Sequence, residues 1–157
     1  MIDMIVRLYD LPDYRPLLQN LEAKGIHLRR PGAYEKHIVA SWVGRTFSPK
    51  WQSECEVAFS RRPISCFIAT KDKQILGFAC YDCTARGFFG PTGVAEDHRG
   101  SGIGKAVLFL ALDGLRELGH AYGIIGGVGP REFYERTVGA TEIPGSSPGI
   151  YRDILPG

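Results

Sequence analysis

The chain has 157 residues, close to the size of one ordinary domain, so we expect a single domain over residues 1–157. Hydrophobic residues make up 44% and charged residues 23%, a balance typical of a globular protein that buries a core. The formal net charge of +2 argues against a nucleic-acid partner, because such proteins usually carry a clustered basic stripe.

The N-terminal segment carries Asp3 and Arg7 inside its apolar run. It therefore lacks the apolar core of a signal peptide, and no stretch of the chain approaches the length of a membrane span. We expect a cytoplasmic protein without a membrane partner.

Hydrophobic spacing and turn residues predict the elements of the first half of the chain. Asp10 has the position of a helix cap, Pro12 lies just inside that helix, and Gly25 suits its end. Ser48-Pro49 is typical of a helix start and predicts that another helix begins there. The prediction is strands over 2–8 and 26–29, and helices over 10–25, 33–46 and 48–59.

The second half begins with a predicted hairpin across the polar turn Lys71-Asp72-Lys73. A strongly apolar helix is predicted near the middle of this half. The prediction is strands over 64–70, 74–83, 87–95, 122–126 and 149–155, and helices over 103–118 and 131–137. This is an α/β order in which a meander of strands leads into a central βα unit.

Four cysteines raise the question of a metal site. Cys80 and Cys83 form a C-x-x-C inside a predicted strand, where residues three apart point to opposite faces and cannot share one zinc ion. No second pair and no histidine spacing completes a site. We therefore expect no metal and interpret the cysteines as buried free thiols.

The segment from Val94 to Lys105 lies between a predicted strand and the apolar helix, and 99–104 within it reads R-G-x-G-x-G. Glycine at alternating positions lets the backbone turn its N–H groups toward one point and lets a ligand approach without a Cβ atom in the way. The helix that follows adds the positive end of its dipole. These features are typical of a pyrophosphate site.

Two nucleotide-binding motifs do not fit this segment. A Walker A loop fails at both ends, because Arg99 occupies its first glycine position and Ala106 follows Gly104-Lys105. A dinucleotide fingerprint starting at Gly102 would need glycine where Val107 stands. Such a fingerprint also lies near the start of its domain, whereas this segment lies past the middle of the chain.

A third motif fits. Residues 99–104, with the strand before them and the helix after them, resemble the acetyl-CoA motif of the GNAT superfamily, in which Arg/Gln-x-x-Gly-x-Gly/Ala follows a strand ending in Val. The resemblance extends from about Ile64 to Ala140. It implies a GNAT-like α/β (α+β) fold, with a mixed, mostly antiparallel central sheet flanked by helices and acetyl-CoA in a cleft between central strands.

The resemblance also implies an activity. Members of the superfamily are acyltransferases. For this chain the resemblance implies an N-acetyltransferase, in which a primary amine of a small molecule attacks acetyl-CoA directly and takes its acetyl group. An amino acid, a polyamine or an amino sugar would qualify, and a homodimer is compatible with the family. The implied coenzyme-binding residues are Val94 and Ala95, which would pair with the pantetheine arm, and the pyrophosphate-binding turn of Arg99, Gly100, Ser101, Gly102, Ile103, Gly104 and Lys105.

Acetyl transfer requires a neutral amine, stabilisation of the carbonyl oxygen and a proton for the departing thiolate. Members usually supply that proton from a tyrosine on the helix after the fifth strand. The segment 133–136 resembles that helix, which makes Tyr134 the hypothetical general acid. The pattern Tyr-x-x-x-Gly-Phe is one residue longer here and lacks its phenylalanine, and Gly127 replaces a frequent asparagine.

The general base is open at this point. Many members carry a glutamate on the fourth strand, but the predicted strand 87–95 has no carboxylate. Glu54, on a helix expected to flank the acceptor cleft, and Asp82, at a strand end, are candidates, and Thr92 could position a water. Glu96 is expected to be exposed.

By resemblance, the segments 34–59 and 145–151 would shape the acceptor pocket. Trp42, Trp51 and Glu54 would form aromatic walls with a carboxylate, which suits a small cationic amine, although tryptophans at this spacing also suit a core. The missing strand carboxylate and the altered segment after Tyr134 favour one rival interpretation. In it, a catalytically impaired domain of the same fold serves as a CoA-binding sensor or interaction module.

Overall fold

A computed structural model describes residues 1–157. The centre of the fold is a mixed seven-stranded sheet. The spatial order of its strands is β2-β3-β4-β5-β6-β1-β7, and only β5 and β6 are parallel neighbours. The strands are β1 (Met4–Arg7), β2 (His27–Arg29), β3 (Cys66–Lys71), β4 (Gln74–Tyr81), β5 (Phe88–Val94), β6 (Tyr122–Ile125) and β7 (Thr141–Glu142).

Five α-helices cover the two faces of this sheet. They are α1 (Arg15–Ala23), α2 (Lys36–Thr46), α3 (Pro49–Ala58), α4 (Ile103–Glu117) and α5 (Arg131–Val138). Side chains of β4 alternate between the faces: Ala79 and Tyr81 join the core beneath α1, α4 and α5, while Phe78 and Cys80 join the core beneath α2 and α3. None of these helices combines the length and the apolar character that a membrane crossing needs. The expected mixed, mostly antiparallel sheet flanked by helices is confirmed.

The parallel pairing of β5 with β6 is short. It consists of the pairs Phe88–Ile124 and Phe89–Ile125. On its other side, β5 pairs Phe89 with Tyr81 and Thr92 with Ala79, so β5 has one residue more than β4 between these pairs. This β-bulge at Gly90 and Pro91 bends β5 away from β6, as bulges beside binding sites commonly do. A cleft therefore opens between the two strands beyond Phe89.

Two predicted elements are wrong. The first helix begins at Arg15 rather than at Asp10, because the residues before it form a 3₁₀ turn and the Asp13 carboxylate, not Asp10, accepts the Arg15 N–H at 3.1 Å. The predicted strand 149–155 is a 3₁₀ turn over Gly149–Tyr151, which starts with a left-handed glycine, φ +58°. The last strand is β7, which pairs with β1 directly after α5.

The expectation that Cys80 and Cys83 point to opposite faces is also wrong. The strand β4 ends at Tyr81, and Asp82 takes a left-handed conformation with φ +60°. The chain reverses there, which brings the Cys83 thiol against that of Cys80. All four cysteines are free and buried, as the sequence predicts.

We expect Gly114→Ala to destabilise the protein by about 1–3 kcal/mol, because an added Cβ would lie 2.6 Å from the Tyr81 ring. That ring is buried and held by Arg30, which donates to its hydroxyl at 2.5 Å, so it cannot move aside. Gly44→Ala is the control, since the closest contact of its Cβ is the flexible end of the Gln52 side chain. Urea unfolding measures both variants, and an equal change in the two would contradict the packing account.

Candidate active site

A cavity of ≈ 560 Å³ lies where β5 and β6 separate. Its walls come from the bulge of β5, the glycine-rich segment after β6, the start of α5, one side of α3 and the 3₁₀ turn at Tyr151. Because α5 packs on one face of the sheet and α3 on the other, the cavity passes between the two strands from face to face. Both predicted catalytic residues, Tyr134 and Glu54, line it.

Tyr134 presents a free hydroxyl to this cavity. Its ring packs edge-on against Phe133 and Phe89, at centroid distances of 5.1 and 6.3 Å. The residue is only 6% exposed, and its hydroxyl makes no hydrogen bond within the protein. Burial raises the pKa of Tyr134 to about 12, so the phenol keeps its proton at neutral pH. It is therefore a proton donor without an internal acceptor.

The departure from the family pattern lies after Tyr134 along α5. Gly139, with φ +66°, ends the helix: its N–H donates to the Glu135 carbonyl, and Ala140 donates to the carbonyl of Tyr134. The bond from Gly139 is that of a left-handed glycine C-cap. The additional residue thus lengthens the last turn of α5 and leaves Tyr134 on the cavity side.

Glu54 approaches the cavity from α3. Ser48 caps this helix by accepting the Trp51 N–H at 3.1 Å, as predicted. The helical spacing then places Trp51 and Glu54 on the cavity side and Cys55 in the core below. The Thr84 hydroxyl donates to Glu54 Oε1 at 2.6 Å. One carboxylate oxygen is thereby oriented, and the other has no hydrogen-bond partner in the protein.

The remaining candidates for the base occupy other positions. Asp82 is buried and accepts the Gly87 N–H at 2.8 Å, with Arg86 at 3.7 Å, so it holds the β4–β5 loop together. Thr92 lines the cavity but donates its hydroxyl to the Phe78 carbonyl at 3.0 Å. Glu96 is exposed in a 3₁₀ turn, as expected. Glu54 is the one carboxylate that lines the cavity.

Tyr151, at the end of the segment 145–151 expected to shape the acceptor pocket, also lines the cavity. Its hydroxyl lies so close to Gly126 that a Cβ there would collide with it. The pKa of Tyr151 is raised to about 12 by burial and then by the charges of Asp3 and Glu54. The paired glycines at 126 and 127 were the available signal, because they leave space beside β6. Trp42, in contrast, packs on Phe47 and Phe78 and does not reach the cavity.

The glycine turn follows β5 and ends at α4. Gly100 and Gly102 have φ values of +82° and +93°, which side-chain-bearing residues rarely adopt. None of the N–H groups from Gly100 through Lys105 donates a hydrogen bond within the protein; the first bonded amide is that of Ala106, to Gly102. An ordinary helix start leaves about four such donors. This longer run, at the positive end of α4, suits an anionic group such as a pyrophosphate.

The edge of β5 connects this turn to the cavity. Ala95 donates its N–H to Leu76 of β4 at 2.8 Å. Since the hydrogen bonds of an antiparallel ladder alternate, the N–H and C=O of Val94 point the other way, toward the cleft. The Arg99 Nε donates to that carbonyl at 3.3 Å. Val94 is thus positioned to pair with an extended ligand, while the amide of Ala95 is used within the sheet.

Comparison with known proteins identifies relatives of this fold. The sequence model of the Acetyltransferase (GNAT) family matches residues 36–140. The GCN5-related glucosamine N-acetyltransferase region of a fungal multi-domain GH3 beta-N-acetylglucosaminidase is similar, with a TM-score of 0.73 and 19% identity over 90% of this chain. A GCN5-related N-acetyltransferase from Sphaerobacter thermophilus has a TM-score of 0.63 and 19% identity over 90% of this chain. At these identities the likeness establishes the fold.

The relatives are longer than this chain. The alignment covers 19% of the fungal protein and 48% of the Sphaerobacter protein. No curated protein matches the sequence.

We expect Tyr134→Phe to change the pH dependence of stability. Burial raises the pKa of Tyr134 from 10.0 to about 12. The stability that the neutral, buried phenol contributes is therefore present below about pH 10 and is lost as the pH rises toward 12. Because phenylalanine does not titrate, the free energy of unfolding of the variant should fall by up to roughly 2 kcal/mol less than that of the wild type over this pH range. Urea unfolding of both proteins at neutral and alkaline pH measures it. Parallel curves would contradict the burial of a neutral phenol.

Proposed function

This chain belongs to the acetyltransferase (GNAT) family, and we propose that it transfers the acetyl group of acetyl-CoA to a primary amine of a small molecule. The observation that carries the proposal is the unpartnered Tyr134 hydroxyl in the cavity between β5 and β6, with the Glu54 carboxylate in the same cavity. A proton donor and a proton acceptor thus line one space, which an acyl transfer to an amine requires.

The coenzyme would extend along β5 from the turn to the cavity. Its pyrophosphate would accept hydrogen bonds from the unpaired amides between Gly100 and Lys105, and the exposed side chains of Arg99 and Lys105 would add positive charge. The pantetheine arm would pair with Val94 as an added strand. This path ends where the two strands separate, so the thioester would enter the cavity that Tyr134 lines.

Direct attack then accounts for every proton. Glu54 takes a proton from the substrate ammonium, and the neutral amine forms the C–N bond at the acetyl carbonyl. When the C–S bond breaks, Tyr134 donates its proton to the departing thiolate. The raised pKa of Tyr134, about 12 because of burial, keeps the phenol protonated until that step. After attack the nitrogen loses its second proton, which restores Tyr134 through solvent, and Glu54 releases the ammonium proton to solvent.

The cavity favours a small cationic amine as acceptor. Its volume of ≈ 560 Å³ is within the range of small-molecule sites. Trp51, Phe133 and Tyr151 provide aromatic surface, and Glu54 provides negative charge. Aromatic faces beside a carboxylate attract an ammonium group. An amino acid, a polyamine or an amino sugar fits this description better than an apolar amine does.

We expect Tyr134→Phe to lower kcat roughly a hundredfold or more, since general acid catalysis typically contributes this much. Coenzyme affinity should change little, because only the transition state needs the proton. Tyr9→Phe is the control, since Tyr9 is exposed and lies outside the cavity. Steady-state thiol release and acetyl-CoA titration measure the two effects. An unchanged kcat would remove Tyr134 from the mechanism.

We expect Gly102→Leu to abolish measurable coenzyme binding. A side chain at φ +93° strains the turn, and its Cβ would lie 3.1 Å from Leu17. The control is Gly119→Leu at the other end of α4, which carries the same kind of strain at φ +102° in open space. Calorimetric titration with CoA compares the variants. Retained binding by the Gly102 variant would refute the assignment of the turn.

We expect Glu54→Gln to lower kcat/KM for a cationic amine roughly tenfold or more, because a hydrogen bond to a charged group contributes about 1.5–3 kcal/mol. The amide oxygen can still accept from Thr84, so the helix should keep its position. Glu56→Gln, on the exposed side of α3, is the matched control. If both variants retained full kcat/KM, Glu54 would have no role in binding or deprotonating the amine.

A further inference from the structure

Three cysteines from separate elements converge beneath α3. Cys55 comes from α3, Cys66 from β3 and Cys80 from β4, and their sulfur atoms all lie within 4.8 Å of one another. Each residue is 0% exposed. Cys66 and Cys80 are direct neighbours across the two strands, and α3 places Cys55 over them. The three sulfurs therefore form a closed triangle inside the molecule.

The dimensions of this triangle match those of a thiolate metal site. Zinc binds sulfur at about 2.3 Å, so two sulfurs of a tetrahedral site lie roughly 3.8 Å apart. Sulfurs that are already within 4.8 Å of one another need to move by no more than about 1 Å to reach that spacing. Structural sites of this kind are closed to solvent, as this one is.

The surroundings supply a compensating charge. Cys83 adjoins Cys80 and adds a fourth sulfur to the group. The Arg61 guanidinium lies beside this group, where it donates to the carbonyl of Asp82, the residue before Cys83, at 3.2 Å. The Nε of Arg61 is the one buried side-chain polar atom in the chain without a hydrogen-bond partner. A divalent ion with three thiolates carries one negative charge, and a buried charge needs a partner of opposite sign. Arg61 can neutralise it.

We propose that Cys55, Cys66 and Cys80 bind one thiophilic divalent cation of the Zn²⁺ class. Binding forms three metal–sulfur bonds and releases the three thiol protons to solvent. Thiolates select such soft ions over Mg²⁺ or Ca²⁺. The site would bind α3 to the sheet directly beneath Glu54, the residue that precedes Cys55, and would act as a structural site outside the cavity.

The test uses the full chain, purified with reductant and without a metal-affinity step, and then unfolded and refolded with Zn²⁺. We expect about one equivalent of zinc per chain after removal of free metal, with release on thiol blocking. Titration with Cd²⁺ should produce thiolate charge-transfer absorption that saturates at the same stoichiometry. Thermal unfolding should shift upward with added Zn²⁺, since the ion binds the folded state.

Cys66→Ser should lose the zinc, the cadmium absorption and the thermal shift. Ile68→Val is the control, because Ile68 is buried in the same core cluster on the same strand without being a ligand. It should keep all three signals despite its smaller side chain. Less than about a tenth of an equivalent in the wild-type chain, with no thermal shift, would overturn the proposal. A Cys66–Cys80 disulfide that persists in the protein purified with reductant would overturn it as well.

Discussion

The short parallel contact between β5 and β6 determines the rest of the site. Two residue pairs hold the strands together, and the bulge at Gly90 and Pro91 then bends β5 away. The separation leaves backbone groups of β5 without partners inside the sheet, which would be unfavourable in a closed core. A ligand that lies along the strand can satisfy them. The same separation opens a passage between the two faces of the sheet.

This passage explains why residues distant in sequence meet in one cavity. Glu54 lies on α3, which packs on one face of the sheet, and Tyr134 belongs to the core on the other face, so neither helix alone forms a site. At the far end of β5, the left-handed glycines leave a run of amide donors at the start of α4. The amide donors of the turn and the cavity are therefore separated along one strand, an arrangement that would suit a long coenzyme with a reactive end.

The sequence predicted most strands and helices and the glycine turn, because their signals are local: alternation, helical spacing and glycine at fixed positions. Its failures involve longer-range causes. Asp10 has the sequence position of a cap, but the chain leaves β1 through a 3₁₀ turn, and α1 begins only at Arg15, with Tyr14 at its N-cap position and no side-chain cap. The position of Cys83 depends on the reversal at Asp82. That Tyr151 reaches the cavity depends on how the C-terminal turn packs on Gly126, which spacing alone does not encode.

The most direct test is titration of the protein with acetyl-CoA, followed in the same sample by thiol release across a panel of amines. We predict micromolar binding, with release for one class of small cationic amines and none for apolar amines. Binding without release for any amine would contradict an enzymatic role and leave a CoA-binding sensor. Absence of binding would contradict the assignment of the glycine turn and the cleft that extends from it.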